Sequence, residues 1–265
     1  MVRAVLIGGA GRMGQALVRA CIARSDIHIT GAIGASGSAA IGRDLGELTG
    51  IAPLGIAVTD DLAAALPECD VALDFSHAGA TAGSLAACVA AGKPLLIGTT
   101  GLTSAVRHDL ERAARHIALL VAPNTSLGVT VLLELVRHAA RVLPRQFDVE
   151  ILESHHRNKK DAPSGTALAL GHVVAETREQ SLEEVGVRGR AGPEAPRAEG
   201  EIGFAVLRGG DVVGEHTVIF AGTGEQLTLT HRATDRAIFA RGALDAAVWL
   251  ARRPPGRYAM RDILL

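Results

Sequence analysis

The sequence predicts an α/β protein in two parts: a doubly wound parallel sheet, then a second α+β domain with a mixed sheet. Three observations carry this. Short apolar runs alternate with helical patterns through the first half. A glycine-rich turn joins the first run to the first helix. Beyond residue 200, strand-like segments follow one another without helices between them.

The first strand is Val2 to Ile7, apolar as a strand buried on both faces requires. Residues 12–23 follow with Met13, Leu17 and Cys21 on one helical stripe. Ile27–Ile33, Val71–Phe75, Leu95–Ile97 and Ile117–Ala122 are the further strands, with helices near 78–91 and 104–115. A long helix from about Val129 to Leu143 leads to the strand Phe147–Leu152 and then to a helix starting near Ser164. Residues 181–200, rich in Gly, Pro, Glu and Arg, read as a mobile loop. Strands follow at 201–207, 212–220 and 226–231, the first two joined by Arg208-Gly209-Gly210-Asp211, a hairpin signal. In the last, Leu227, Leu229 and His231 alternate with Thr228 and Thr230, as on a sheet with one covered face. A final helix, about Arg236–Leu250, returns to the first domain. The expected domains are 1–126 completed by 236–265, and 127–235.

Composition narrows the function classes. The chain has 265 residues, 48% hydrophobic and 21% charged, enough for one large core or two modest ones. A formal charge of −1 gives no global attraction to nucleic acid or to a membrane surface. Aromatic residues at 3% argue against base-stacking modules. No apolar run approaches the length of a membrane span, and no signal peptide is visible. Cys21, Cys69 and Cys88 are odd in number and lack metal spacing, which points to a reducing, cytoplasmic compartment.

Gly8-Gly9-Ala10-Gly11-Arg12-Met13-Gly14 closes the first strand and opens the first helix. Both GxGxxG (Gly9, Gly11, Gly14) and GxxGxxG (Gly8, Gly11, Gly14) run through it. An ordinary glycine-rich turn is the alternative, but a strand–turn–helix setting favours a Rossmann-like dinucleotide site, with a pyrophosphate at the helix N-terminus. The second strand ends Gly31-Ala32-Ile33-Gly34-Ala35-Ser36-Gly37-Ser38, without the acid that usually binds the adenine ribose. A 2′-phosphate is then not repelled, and Ser36, Ser38 and Arg12 are placed to receive it. NADPH is therefore expected to serve at least as well as NADH. Gly98-Thr99-Thr100-Gly101 and Ala122-Pro123-Asn124-Thr125 each follow a strand, and either line the same crevice or are routine βα turns.

The most informative stretch is Glu153-Ser-His-His-Arg-Asn-Lys-Lys-Asp-Ala-Pro-Ser-Gly-Thr166. Five of the six residues from His155 to Lys160 carry imidazole, guanidinium or ammonium groups, and a helix start follows. This suits a small polyanion and a built-in proton donor; the bland alternative is a solvated charge run. Histidine titrates near neutral pH and lysine is cationic, so both supply protons. The N–H groups and hydroxyl at Pro163-Ser164-Gly165-Thr166 suit a carboxylate. Arg157 and Lys160 are expected to face solvent, Asp161 to orient the loop, and His216 and His231 to sit on sheet positions without a catalytic role. No metal is expected, because no Cys or carboxylate joins the histidines at ligand spacing.

Taken together, the glycine-rich start, Gly98-Thr-Thr-Gly, Ala122-Pro-Asn-Thr-Ser-Leu-Gly-Val, the 153–166 motif, Gly214-Glu-His-Thr and the ending Met260-Arg-Asp closely resemble the bacterial dihydrodipicolinate (4-hydroxy-tetrahydrodipicolinate) reductases of the diaminopimelate route to lysine. The resemblance covers nearly the whole chain. It implies that NADPH or NADH delivers hydride to a cyclic unsaturated dicarboxylate, with water lost overall. It implies that His155 is the acid/base residue, that Lys159 is the proton donor, and that His156, Gly165 and Thr166 contact the substrate carboxylate. It places cofactor contacts at Gly8, Gly9, Ala10, Gly11, Arg12 and Met13, at Gly34, at Gly98, Thr99 and Thr100, and at Ala122, Pro123, Asn124 and Thr125. At Gly34 many members have an acid and at Ala35 a basic residue, so the family's cofactor preference does not transfer. His77 stands where other members have Arg. The resemblance also implies a homotetramer assembled through the sheet of a substrate-binding second domain.

Two other readings compete. An amino-acid dehydrogenase of aspartate or homoserine type needs the same glycine fingerprint but gives no reason for His-His-x-x-Lys. A dinucleotide-sensing regulator requires a DNA-binding module or basic patch, and the sequence offers neither.

Overall fold

A computed structural model describes residues 1–192 and 196–264. The chain divides into two compact units, Met1–Ser126 with Ala237–Leu265, and Leu127–Arg236.

The first unit is a parallel sheet with helices between its strands. Its strands are β1 (Val2–Ile7), β2 (Ile27–Ile33), β3 (Val58–Thr59), β4 (Val71–Asp74), β5 (Leu95–Ile97) and β6 (Ala118–Val121). The helices are α1 (Arg12–Cys21), α2 (Leu45–Thr49), α3 (Leu62–Ala65), α4 (Ala78–Ala91) and α5 (Ser104–Ala113). A late helix, α9 (Ala237–Leu250), and the edge strand β12 (Gly256–Tyr258) complete it, in the order β12-β6-β5-β4-β1-β2-β3. β4 and β5 are buried at every position, as apolar strands covered on both faces must be. α4 shows why these helices form: Thr81, Ser84, Leu85 and Cys88 are its buried stripe. It stops where Gly92 turns left-handed and donates its N–H back to the carbonyls of Cys88 and Val89. The strand order reverses direction between β1 and β4, so the loops leaving these two strands open a crevice at their carboxyl ends.

The second unit is a five-stranded mixed sheet. Its helices are α6 (Leu127–Val142), α7 (Gly165–Thr177) and the short α8 (Leu182–Val185). Its strands are β7 (Asp148–His155), β8 (Gly186–Val187), β9 (Ile202–Arg208), β10 (Gly214–Gly222) and β11 (Glu225–Ala233), in the order β11-β10-β7-β9-β8. One face is covered: Val149, Ile151, Phe204, Val218 and Phe220 meet Leu132 and Val136 of α6 and Leu170 and Val174 of α7. The other face leaves Leu152 and Leu207 exposed.

Two expectations need correction. Arg208-Gly209-Gly210-Asp211 does not close a hairpin. β9 and β10 flank β7 on opposite sides, β9 parallel and β10 antiparallel to it. The glycines instead carry the chain over the end of β7, where Gly209 N–H donates to the His155 carbonyl and Arg157 N–H to the Gly210 carbonyl. A local turn signal does not register that a strand from earlier in the chain lies between its two arms. The stretch 181–200 is also more ordered than a mobile loop. It contains α8 and β8, with Leu182 buried. Arg190 pairs with Glu150 at 2.7 Å and Arg197 with Asp148 at 2.8 Å. Residues 193–195 of that stretch lie outside the described residues.

Candidate active site

Strand geometry builds the centre of the second unit. β7 runs three residues past its expected end at Leu152, and successive side chains on it alternate between faces. Val149, Ile151, Glu153 and His155 therefore all point to the covered face, and all four are buried. Pairing adds the neighbours. Arg208 of β9 lies beside His155, and His216 of β10 lies opposite Glu153. The core face thus turns polar at one end of the sheet, under the N-terminus of α7.

Glu153 organises this cluster. Its Oε2 accepts from His155 Nδ1 at 2.5 Å and from Arg208 Nη1 at 2.7 Å. Its Oε1 accepts from Arg208 Nη2 at 2.7 Å and from Ser164 N–H at 2.9 Å. A carboxylate this buried is tolerable because the guanidinium fork balances its charge and every lone-pair direction has a donor. Burial alone would raise its pKa, but Arg208, His155 and Ser164 N–H together hold it below the ordinary carboxylate value. Arg208 Nη2 also donates to the Asp161 carbonyl at 2.7 Å, so the same guanidinium straps down the 156–164 loop.

Burial favours the neutral form of both imidazoles, against different neighbours. Burial pushes the His155 pKa down against the pull of Glu153, with Lys159 and Arg208 acting in the same direction as burial. The His216 ring stands edge-on to that of His155, with centroids 5.1 Å apart. Ser164, the N-cap of α7, accepts from Ala167 N–H at 3.2 Å. Its hydroxyl also hydrogen-bonds with His216 Nε2, 2.9 Å away. His216 Nδ1 is buried without a partner among the described residues. Burial, and then the neighbouring His155, lower the His216 pKa to about 4.

The remaining predicted residues ring this centre. Lys159 Nζ lies 2.8 Å from Asp161 Oδ1, and that ammonium is the main reason the Asp161 carboxyl sits below its ordinary range. Asp161 thus orients the lysine. His156 accepts the Lys159 N–H through its carbonyl. Gly165 and Thr166 form the first turn of α7, which has no acidic residue of its own, while the carboxylates of Glu153 and Asp161 accept from Ser164 N–H and Gly165 N–H at its start. Arg157 and Lys160 are exposed. The sequence reading gave no role to Glu153, Arg208 or His216. Only Glu153 had a signal within its own motif, two positions before His155 on a strand.

In the first unit, the predicted nucleotide loops gather around the end of β4. Gly8 has φ +83°, and a Cβ there would lie 2.7 Å from the Phe75 carbonyl oxygen. A Cβ on Gly14 would lie 2.3 Å from the Gly9 carbonyl oxygen, and one on Gly98 would strike the Phe75 ring. Thr99 Oγ1 and Ser76 Oγ both donate to buried Asp74, at 3.2 and 2.5 Å, fixing the turns after β4 and β5. The 122–125 turn is tied to α9 by Thr125 Oγ1, which donates to the Phe239 carbonyl at 2.6 Å. Gly9, Ala10 and Gly11 lead into α1, whose N-terminus has no side-chain cap and no acid in its first turn. Arg12 is exposed there and Met13 half-buried. Such a cradle fits a pyrophosphate. Thr100 and Pro123 are exposed and Asn124 is half-buried. Gly34 donates its N–H to the Thr59 carbonyl, and a side chain on it would crowd Val58 and Ile41.

Comparison with known proteins agrees with both units. The family models for dihydrodipicolinate reductase match over residues 2–125 for the N-terminus and 128–264 for the C-terminus. A 4-hydroxy-tetrahydrodipicolinate reductase of Anaeromyxobacter dehalogenans is 49% identical over 264 residues, covering 100% of this chain and 98% of that protein. One from Alkalilimnicola ehrlichii is 50% identical over 262 residues, covering 99% and 98%. Among solved structures, the dipicolinate-bound dihydrodipicolinate reductase of Paenisporosarcina sp. TG-14 superimposes with a TM-score of 0.79 at 24% identity, covering 98% of this chain and 97% of that one. An amine dehydrogenase from Mycobacterium smegmatis shares the fold more distantly, with a TM-score of 0.59 at 16% identity, covering 98% and 95%. With both halves matched and half the residues identical along the whole length, the chain belongs to the dihydrodipicolinate reductase family.

Proposed function

We propose that this chain reduces 4-hydroxy-tetrahydrodipicolinate to tetrahydrodipicolinate, with NADPH or NADH as the reductant. The observation that carries the reading is the polar end of the β7 face. A buried Glu153–Arg208 pair holds His155 there beside the start of α7. Glycines of the β1–α1 turn, with Gly98, Thr99, Thr100 and the 122–125 turn, would hold the nucleotide, which supplies the hydride when bound. Gly165, Thr166 and His156 orient the dicarboxylate. Lys159 balances its charge, worth roughly 4 kcal/mol for a pair at about 4 Å in an effective dielectric near 20, before desolvation. Loss of the 4-hydroxyl as water, with a proton from the neighbouring ring carbon, gives a conjugated C=C–C=N, and hydride addition to it leaves an electron-rich enamine. The Lys159 ammonium, and His155 once it has taken up a proton at Nε2, are the groups that bring the proton to its carbon.

NADPH is proposed to serve at least as well as NADH, because Gly34 offers no carboxylate and Ser36 is exposed nearby. A homotetramer is proposed through the second unit's sheet, whose open face exposes Leu152 and Leu207. Three buried free thiols suit a reducing cytoplasm.

The test generates the cyclic substrate in situ with its upstream synthase and follows oxidation of NADPH and NADH separately. Substrate-dependent oxidation is expected, at least as fast with NADPH. Its absence would sink the reading, and a strong NADH preference would sink the cofactor proposal. Lys159→Ala and His155→Ala should each lower turnover at least a hundredfold with nucleotide binding intact.

A further inference from the structure

We propose that Glu153 is the positioning residue of this reaction, one carboxylate that fixes both the tautomer of His155 and the seat of the α7 N-terminus. This rests on the reductase reading above and assigns a role that reading leaves open. An ionised carboxylate oxygen only accepts hydrogen bonds. Glu153 is paired with Arg208 through both oxygens, so His155 Nδ1, 2.5 Å from Oε2, is the donor of that bond. Nε2 is then the nitrogen that carries the lone pair and exchanges the proton. Gly214 of β10 lies against the His155 ring, and a Cβ there would come 3.0 Å from Nε2. Glycine keeps that edge of the ring uncrowded.

Glu153 itself takes no part in contacting substrate. Its side chain is 1% exposed, and its acceptor sites are filled by His155, Arg208 and Ser164 N–H. The two oxygens have separate tasks. Oε2 orients the ring, while Oε1 holds the residue at which α7 begins. The proton-handling nitrogen and the anion-holding helix end are thereby set in one fixed relation, although they come from different elements. Reach matters as well: Glu153 stands two residues before His155 on the same strand face, from which its extra methylene spans to the helix.

The experiment has two arms. Long-range 15N–1H spectra of the imidazole nitrogens, assigned with a His155→Gln control, read the tautomer of the wild-type protein directly. A protonated Nδ1 and an unprotonated Nε2 are expected at pH 7.5, and the reverse would overturn the proposal whether or not any variant folds. In the second arm, Glu153→Gln keeps the size of the side chain and an acceptor for Ser164 N–H, but presents an amide to Nδ1. The expected result is a fall in kcat of about a hundredfold, the order of general acid–base help, together with a switch of tautomer. KM for the dicarboxylate should stay within about threefold and NADPH affinity should not change. Unaltered kcat in a folded variant, or equal losses in kcat and NADPH affinity, would overturn it. Wild-type protein that fails to oxidise NADPH with substrate would instead defeat the reductase reading, leaving the tautomer result to stand alone.

Discussion

Acidification should weaken the fold through His216. In the unfolded chain this imidazole takes a proton near its ordinary value of 6.5, and in the folded protein only near 4. As pH falls through this window the unfolded state binds the extra proton and the folded state does not, so stability present above pH 6.5 is lost on the way down to 4. The full effect is about 3 kcal/mol, at about 1.4 kcal/mol for each pKa unit. Between pH 7 and pH 5 about 2 kcal/mol should go. The structural reason is specific: Ser164 occupies Nε2, Nδ1 is sealed without a partner, and His155 lies edge-on. Urea unfolding of wild type and His216→Gln at pH 7 and pH 5, at one protein concentration, isolates the contribution, since the remaining titrating groups are common to both. Wild type should lose about 2 kcal/mol more than the variant over this range. Parallel losses would show that the buried ring titrates normally and would refute the reasoning.

Two substitutions probe the first unit. Gly14→Ala places a methyl 2.3 Å from the Gly9 carbonyl oxygen, so the glycine turn must open, and NADPH affinity by fluorescence titration should fall at least tenfold; unchanged affinity would remove the cradle argument. Asp44 accepts five backbone N–H bonds, from Gly46, Glu47, Leu54, Gly55 and Ile56. Asp44→Ala should lower the melting temperature and speed amide exchange across residues 45–56, and equal exchange in both proteins would refute its role as a staple.

The first unit was largely legible because its signals are local. Apolar runs, capped helices and glycine turns each depend on neighbours in sequence, and the helix expected at 78–91 is Ala78–Ala91. The second unit was less so. The strand before the motif reads as ending at Leu152, where charged residues begin, so the alternation that sets Glu153 and His155 on one face does not appear in the pattern. Arg208 and His216 reach the site only through β9 and β10 flanking β7, an arrangement the turn at Arg208–Asp211 conceals. The titratable residues that one motif clusters were readable, whereas the neighbours delivered by strand pairing were not.

The return of α9 and β12 to the first sheet has a consequence for synthesis. β12 pairs with β6, and Arg24, just beyond α1, is ion-paired with Asp245 of α9. Yet these pieces leave the ribosome only after the whole of Leu127–Arg236. While that insert is emerging, the nascent first unit has an unpaired β6 edge and an uncovered α1. The second unit has all its strands in one continuous segment and is able to close first. The order in which the units are completed thus opposes the order in which they are begun: the first unit is finished last, and a chain stalled near residue 236 would carry a folded second unit and an aggregation-prone sheet edge.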